Sequence, residues 1–373
     1  MAPLLNPALP VRSVSKGPDA HTDTEHVQYP TPLQSSGALD NFAFEETTPA
    51  IGREYADVNI VDDLLHAPNS DELVRDLAIA ISQRGVVFFR AQDNLTDDLQ
   101  KDLVQRLGQA AGKPADSTLH IHPVLNNTNE FGVPDAQVST ISSLARKKMF
   151  RHGAQSNKRH YDSAQWHSDI QFEAAPADYT SLRLTQLPSS GGDTLWASGY
   201  ELLDRFSPPY RRFFESLTAT FIGEGFLRAA ADDPENVKVY TEPRGNPLNI
   251  GPDLAAVHPI VRTNPVTGWK TLFALGPFPR RINELSAEES DELLGKIYRT
   301  VRENHDLQVR FKWRNPNDIA IWDNRCAFHT ATFDYEGLGE RFGHRAVGIG
   351  ERPYLDPNSL TKEEALAAAS GSE

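Results

Sequence analysis

Cysteine is almost missing from this chain: among 373 residues only Cys326 carries a thiol. That excludes an intramolecular disulfide and any metal site built on several thiolates, and it fits a reducing, cytoplasmic setting. Positive charge is also scarce. Lys and Arg number 37 against 51 Asp and Glu, a formal net charge of −14, which argues against nucleic acid and an anionic membrane as partners. A small anionic substrate stays open, because a few arginines in one pocket reverse the local sign. Long apolar runs are absent too, and no stretch approaches the roughly 20 residues of a membrane span. The N-terminal "MAPLLNPALPVRSVSKGPDA" has no charged segment leading into an apolar one, so a secretory leader is not expected.

What is present reads as a globular protein long enough to bury a sizeable core. Residues 1–45 are rich in Pro, Ser, Thr and Asp without sustained periodicity, and are expected to form a disordered or extended N-terminal segment. A folded domain is expected over 46–357, followed by a frayed tail over 358–373. Leu73, Val74, Leu77 and Ile81 recur at helical spacing after Ser70, with Gly85 as a stop. "VVFFR" (86–90) reads as a buried strand, and Leu99, Leu103, Val104 and Leu107 mark a second helix ended by Gly108. Beyond residue 110 the texture changes to short runs broken by Gly, Pro and Asn, as in a β-sandwich or barrel. Candidate strands are "TSLRLTQL" (180–187), "DTLWAS" (193–198), "IVRT" (260–263), "TLFAL" (271–275), "DIAIWD" (318–323) and "RAVGIG" (345–350). Between them Ser286 and Glu289 form a capping box that opens a helix with Leu293, Leu294, Ile297 and Val301 on its apolar face.

In "QWHSDIQ" (165–171) His167 and Asp169 are two apart, so on a strand both side chains would project to one face and could serve as neighbouring ligands of one ion. The spacing by itself is common: His21 with Asp23 and His160 with Asp162 repeat it. Only the His167 copy is flanked by large apolar residues, Trp166, Ile170 and Phe172, which a buried site requires. Two histidines and one carboxylate on one face of an iron leave open coordination positions for oxygen chemistry, and His329, just after "DIAIWD", is a natural third ligand. Imidazoles with a carboxylate and no thiolate suit Fe(II), whereas zinc prefers a closed site. Arg341 and Arg345, four apart, would share one strand face and could grip carboxylates through paired hydrogen bonds. Each has a plainer reading as well: His329 could cap a loop, and the arginines could be surface ion-pair partners.

Together with "LHIHPV" (119–124), "LPSSGGDTLWASG" (187–199), "HPIVRTNPVTGWKTLF" (258–273), "NPNDIAIWDNR" (315–325) and "RFGHRAVGIG" (341–350), these residues resemble the taurine dioxygenase family in order and spacing over roughly 50–355. The resemblance implies a mainly β fold with flanking helices (α+β) around a double-stranded β-helix, or jelly-roll. It implies Fe(II) on His167, Asp169 and His329, and 2-oxoglutarate on Thr194 and Arg341, with O₂ as the oxidant. It further implies a small anionic organic substrate at Arg345 and His122, flanked by Ile170, and self-association is common in the family. Where taurine enzymes hold the amine end of their substrate, this chain departs. A family tyrosine is Leu125, an asparagine is Ser163 beside a retained acid, Asp162, and a second asparagine is Leu275. The expected substrate is therefore sulfonate-like or amino-acid-like, and taurine itself is in doubt. A tailoring oxygenase acting on an amino acid, or a non-catalytic jelly-roll binding protein, are the competing readings.

Overall fold

The computed structural model describes residues 28–124, 135–142, 166–235 and 237–371. The copies at His21 and His160, and with them Leu125, Asp162 and Ser163, lie outside the described residues. The architecture is mixed α/β: a seven-stranded sheet, three three-stranded sheets and flanking helices.

At the centre of the large sheet the strand Val86–Phe89 pairs antiparallel with Asp318–Asp323, which pairs in turn with Ala177–Gln186. Val86–Phe89 is buried on both faces, which is why it reads as an unbroken apolar run and not as an alternation. Successive side chains divide between two cores. Val87, Phe89, Ile319 and Ile321 face the helices Ser70–Arg84 and Asp97–Ala110. Phe88, Ala320 and Trp322 face a smaller sheet made of Gln308–Phe311, Thr194–Ser198 and Ala327–Ala331. Phe88 stacks on Phe311 with centroids 4.2 Å apart, and Trp196 meets Trp322 edge-on at 5.6 Å. Two facing sheets thus enclose an aromatic layer, and the functional side chains lie at one end of it. A third core sits under the helix Ala287–Glu303, whose Leu293, Ile297 and Val301 are buried and whose Ser286–Glu289 capping box is formed.

Several boundaries differ from the sequence reading. The fold begins before residue 46: Leu33 N–H donates to the Val266 carbonyl, and Ser35, Ser36 and Ala38 bond the buried Asp76 carboxylate. Asp76 sits on the core helix and needs partners, so residues 33–38 are tied down. Residues 360–370 are ordered into elements and not frayed. Leu360–Thr361 adds a parallel strand to Trp269–Leu272, and Thr361 caps the helix Lys362–Ser370, whose first residue bonds Glu201. The second helix continues through Gly108 to Ala110; a Cβ at Gly108 would lie 2.6 Å from Asp178 Oδ2, so this glycine permits close approach and does not terminate the helix. "TLFAL" leaves its strand at Leu272. The helices at 199–204, 208–215 and 224–232 had no clear periodic signal, being short.

Candidate metal centre

His167 and His329 face each other across an isolated antiparallel bridge, each backbone N–H donating to the other's carbonyl at 3.0 and 2.8 Å. The expected strand stops there. Asp169 lies in a turn, and Ile170 follows with φ 48°, in the left-handed region that a β-branched residue seldom adopts. It is therefore the turn, and not strand alternation, that brings the carboxylate beside the two rings. Asp169 Oδ1 is 4.0 Å from His167 Nε2 and 3.9 Å from His329 Nε2. One ligand atom from each of the three lies within 4.8 Å of the others.

The turn is held from behind by Asn324, a residue that no spacing in the sequence marks. Asn324 Oδ1 accepts from the Asp169 N–H at 3.0 Å and from Trp322 Nε1 at 3.1 Å. Its amide donates to Thr180 Oγ1 and the Asp178 carbonyl, and its own carbonyl accepts from Ser168. Thr180 Oγ1 then donates to Asp169 Oδ2 at 3.2 Å, which leaves Oδ1 toward the imidazoles. No periodicity marks either residue as a positioning group.

The electrostatics match a ligand set. Burial would raise the Asp169 carboxyl, but the Arg345 guanidinium and the two imidazoles hold it down at about 2. Burial, with His167 adjacent, pushes His329 down to about 3. Neutral imidazole and ionised carboxylate are the forms that bind a metal. With oxygen and nitrogen donors, no thiolate and three ligands, the residues present fit Fe(II).

The two arginines diverge. Arg341 precedes the strand Phe342–Ile349, which bulges between Phe342 and Gly343, so the two do not share a strand face. Arg341 is buried, donating from Nε to the Gly192 carbonyl at 2.9 Å and from Nη2 to Thr194 Oγ1 at 3.2 Å, and burial draws it down to about 10. Trp313 Nε1 donates to the same Thr194 oxygen at 3.2 Å. Arg345 turns inward, its Nη1 donating to Asp169 Oδ1 at 2.9 Å. His122 is buried, accepts from the Val124 N–H at Nδ1 and lies within electrostatic reach of Arg345 and Asp169. Its neighbour His120 instead sits 3.8 Å from Glu173, a carboxylate also bonded by Arg244. Ile170 packs in the apolar cluster with Phe172 and Val347.

The chain also matches a known family over most of its length. The model of the Taurine catabolism dioxygenase TauD, TfdA family matches residues 43–347. The chain is 50% identical over 344 residues to the alpha-ketoglutarate-dependent dioxygenase oryG of Aspergillus oryzae, covering 92% of this chain and 98% of that protein. It is 30% identical over 351 residues to the alpha-ketoglutarate-dependent sulfonate dioxygenase of Saccharomyces cerevisiae, covering 91% of this chain and 76% of that one. The fold resembles the crystal structure of a putative alpha-ketoglutarate-dependent taurine dioxygenase from Burkholderia xenovorans, with a TM-score of 0.61, 24% identity and coverage of 85% and 92% of the two chains. The chain belongs to the TauD, TfdA family of dioxygenases.

Proposed function

We propose that His167, Asp169 and His329 hold the iron, that Arg341 and Thr194 bind the far carboxylate of 2-oxoglutarate, and that Arg345 with His122 receives the anionic group of a small organic substrate. As a member of this family the protein is a 2-oxoglutarate-dependent non-haem iron dioxygenase, using Fe(II), 2-oxoglutarate and O₂. The convergence of one carboxylate and two imidazoles within 4.8 Å carries the proposal. The facing sheets support a double-stranded β-helix (jelly-roll) as the core architecture.

When bound, the iron couples oxidative decarboxylation of 2-oxoglutarate, giving succinate and CO₂, to insertion of the second oxygen atom of O₂ into a substrate C–H bond. The chain supplies position and charge. Thr194 Oγ1 already accepts two hydrogen bonds, from Arg341 and Trp313, so its O–H is left to donate to a carboxylate oxygen. Arg341, 4% exposed, offers a full charge in a dry setting, where a paired carboxylate gains most. Arg345 keeps Asp169 ionised and lies beside the three metal-ligating side chains.

The substrate is read as a sulfonate-like or amino-acid-like anion. Leu275, at a position where taurine enzymes carry asparagine, is 1% exposed in the apolar core, which favours a substrate other than taurine and supports a tailoring role as the second reading. The intact ligand set argues against a non-catalytic binding protein. The test is anaerobic loading with Fe(II) and 2-oxoglutarate, then exposure to air with a panel of sulfonates, sulfate esters and amino acids, reading succinate, sulfite and sulfate. Substrate-dependent succinate that is lost in His329→Ala is expected; sulfite marks a sulfonate substrate, sulfate marks a sulfate ester, and succinate from an amino acid with neither marks the tailoring reading. Absence of Fe(II) binding to the purified chain would overturn the assignment.

A further inference from the structure

The helices Pro208–Glu215 and Ala287–Glu303 bound a surface groove of about 510 Å³ that no residue of the metal centre lines. Its apolar lining is Leu285 and Leu293 from the second helix and its approach, and Tyr210 and Phe213 from the first. These two aromatics, three apart and so on one face of their helix, stay 40% and 41% exposed. Exposed aromatic area rimmed by charge is unfavourable in water and has the composition of a protein–protein contact.

The rim is Glu289, Glu292, Lys296 and Arg299, all on the second helix. Their spacing of three, four and three positions makes one stripe along it. Glu289 and Arg299 are equidistant from Leu294, as are Glu292 and Lys296, and within each pair the charges are opposite. A second copy of this helix, laid antiparallel about a two-fold axis at Leu294, therefore sets Glu289 against the partner's Arg299 and Glu292 against the partner's Lys296, each pair twice. Two plainer accounts of the pattern fall short. The helix macrodipole favours acids at the start and bases at the end, but it acts over the first and last turns, and Glu292 and Lys296 lie between them. A pair within the helix would join Glu292 to Lys296, yet Lys296 Nζ lies over the Tyr210 ring, 4.3 Å from its centroid, and among the described residues neither Glu292 nor Arg299 is in an ion pair.

We propose that this groove is the interface of a two-fold homodimer, filled by the Ala287–Glu303 helix of a second copy of this chain, with Tyr210 and Phe213 as its apolar anchors. A helix of 17 residues spans about 26 Å. With the shorter helix beside it, the contact is near the lower size limit of specific interfaces. Association is therefore reversible, with a Kd on the order of 10 μM. The interface is independent of the iron reading, since none of its residues belongs to the metal centre.

The experiment is sedimentation velocity on the full chain over a concentration series. A monomer–dimer equilibrium that weakens in high salt is expected. Lys296→Glu and Glu292→Lys each turn two attractions across the axis into repulsions and should weaken the dimer by about tenfold or more. Phe213→Ser, at an exposed position, should do the same. Mixed in equal amounts, the Lys296→Glu and Glu292→Lys chains should associate with each other within about threefold of the native Kd, because in that pair each glutamate again meets a lysine. Repair of a contact inside one helix cannot produce this result, since each chain still carries two like charges four positions apart. Thermal unfolding of each variant, expected at the native midpoint, establishes that it is folded. A chain that stays monomeric up to about 100 μM, tenfold above the expected Kd, would overturn the inference. So would a dimer indifferent to the single reversals or to Phe213→Ser, which uses another face, or reversed chains that fail to associate on mixing.

Discussion

The two oxygens of Asp169 are differently employed: Oδ1 faces both imidazoles and Arg345, while Oδ2 accepts from Thr180, which Asn324 orients. A carboxylate held in that way presents one lone pair to a metal without first losing rotamer freedom. Asn324→Ala removes both the brace on the Asp169 N–H and the donor to Thr180. Fe(II) affinity is expected to fall about 10- to 100-fold, the usual cost of losing a group that orients a ligand, as read by Fe(II) titration under anaerobic conditions. The arginines are separable by a different measurement. Arg341→Ala should raise the Kd for 2-oxoglutarate about 30-fold or more, corresponding to the lower end of about 2 kcal/mol for truncating one partner of a buried charged pair. Arg345→Ala should leave that Kd within about threefold, since it bonds Asp169 and it is Arg341 that bonds Thr194. Equal loss of 2-oxoglutarate binding in both variants would refute the division of roles.

Among the elements, the strand Val86–Phe89 matters most to the site although it bears none of its residues. It pairs with Asp318–Asp323, whose end leads directly into Asn324, and its Phe88 fills the layer shared with Trp196 and Phe311. Phe88→Ala would open a cavity between the facing sheets and is expected to destabilise the fold by about 3–5 kcal/mol, measured as a lower urea midpoint at unchanged slope. This strand was visible in the sequence as "VVFF" bounded by Gly85, because a doubly buried strand leaves a contiguous apolar run. The turn at Asp169 was not visible. "HSDI" has the alternation of a strand, and only the bonds from Asn324, 155 positions away, divert it. The same limit applies to the two arginines, where a bulge at Phe342 defeats a spacing argument that assumes a regular strand.

Across the whole molecule, packing also sets the response to pH. His258 is buried, its Nε2 bonded to the carbonyls of Gln171 and Glu173, and burial, reinforced by Arg262, pushes it down to about 3. In the unfolded chain it takes up a proton near its ordinary value of 6.5. Between those values the unfolded state holds the extra proton, so the contribution of His258 to stability is complete above 6.5 and declines as pH falls toward 3. The slope is about 1.4 kcal/mol per pH unit at most. Urea midpoints at neutral and mildly acid pH should fall more steeply in the native chain than in His258→Gln; parallel profiles would exclude this histidine as a source. The sequence by itself determined the family, the order of its motifs and which imidazoles and carboxylate to test, because ligand chemistry is written in residue type and the apolar runs around it. The tertiary structure alone decided that Asn324 and Thr180 steer Asp169 and that Arg345 pairs with a ligand. Those are contacts between distant segments, set by how two sheets and their covering elements pack, and no local period encodes them.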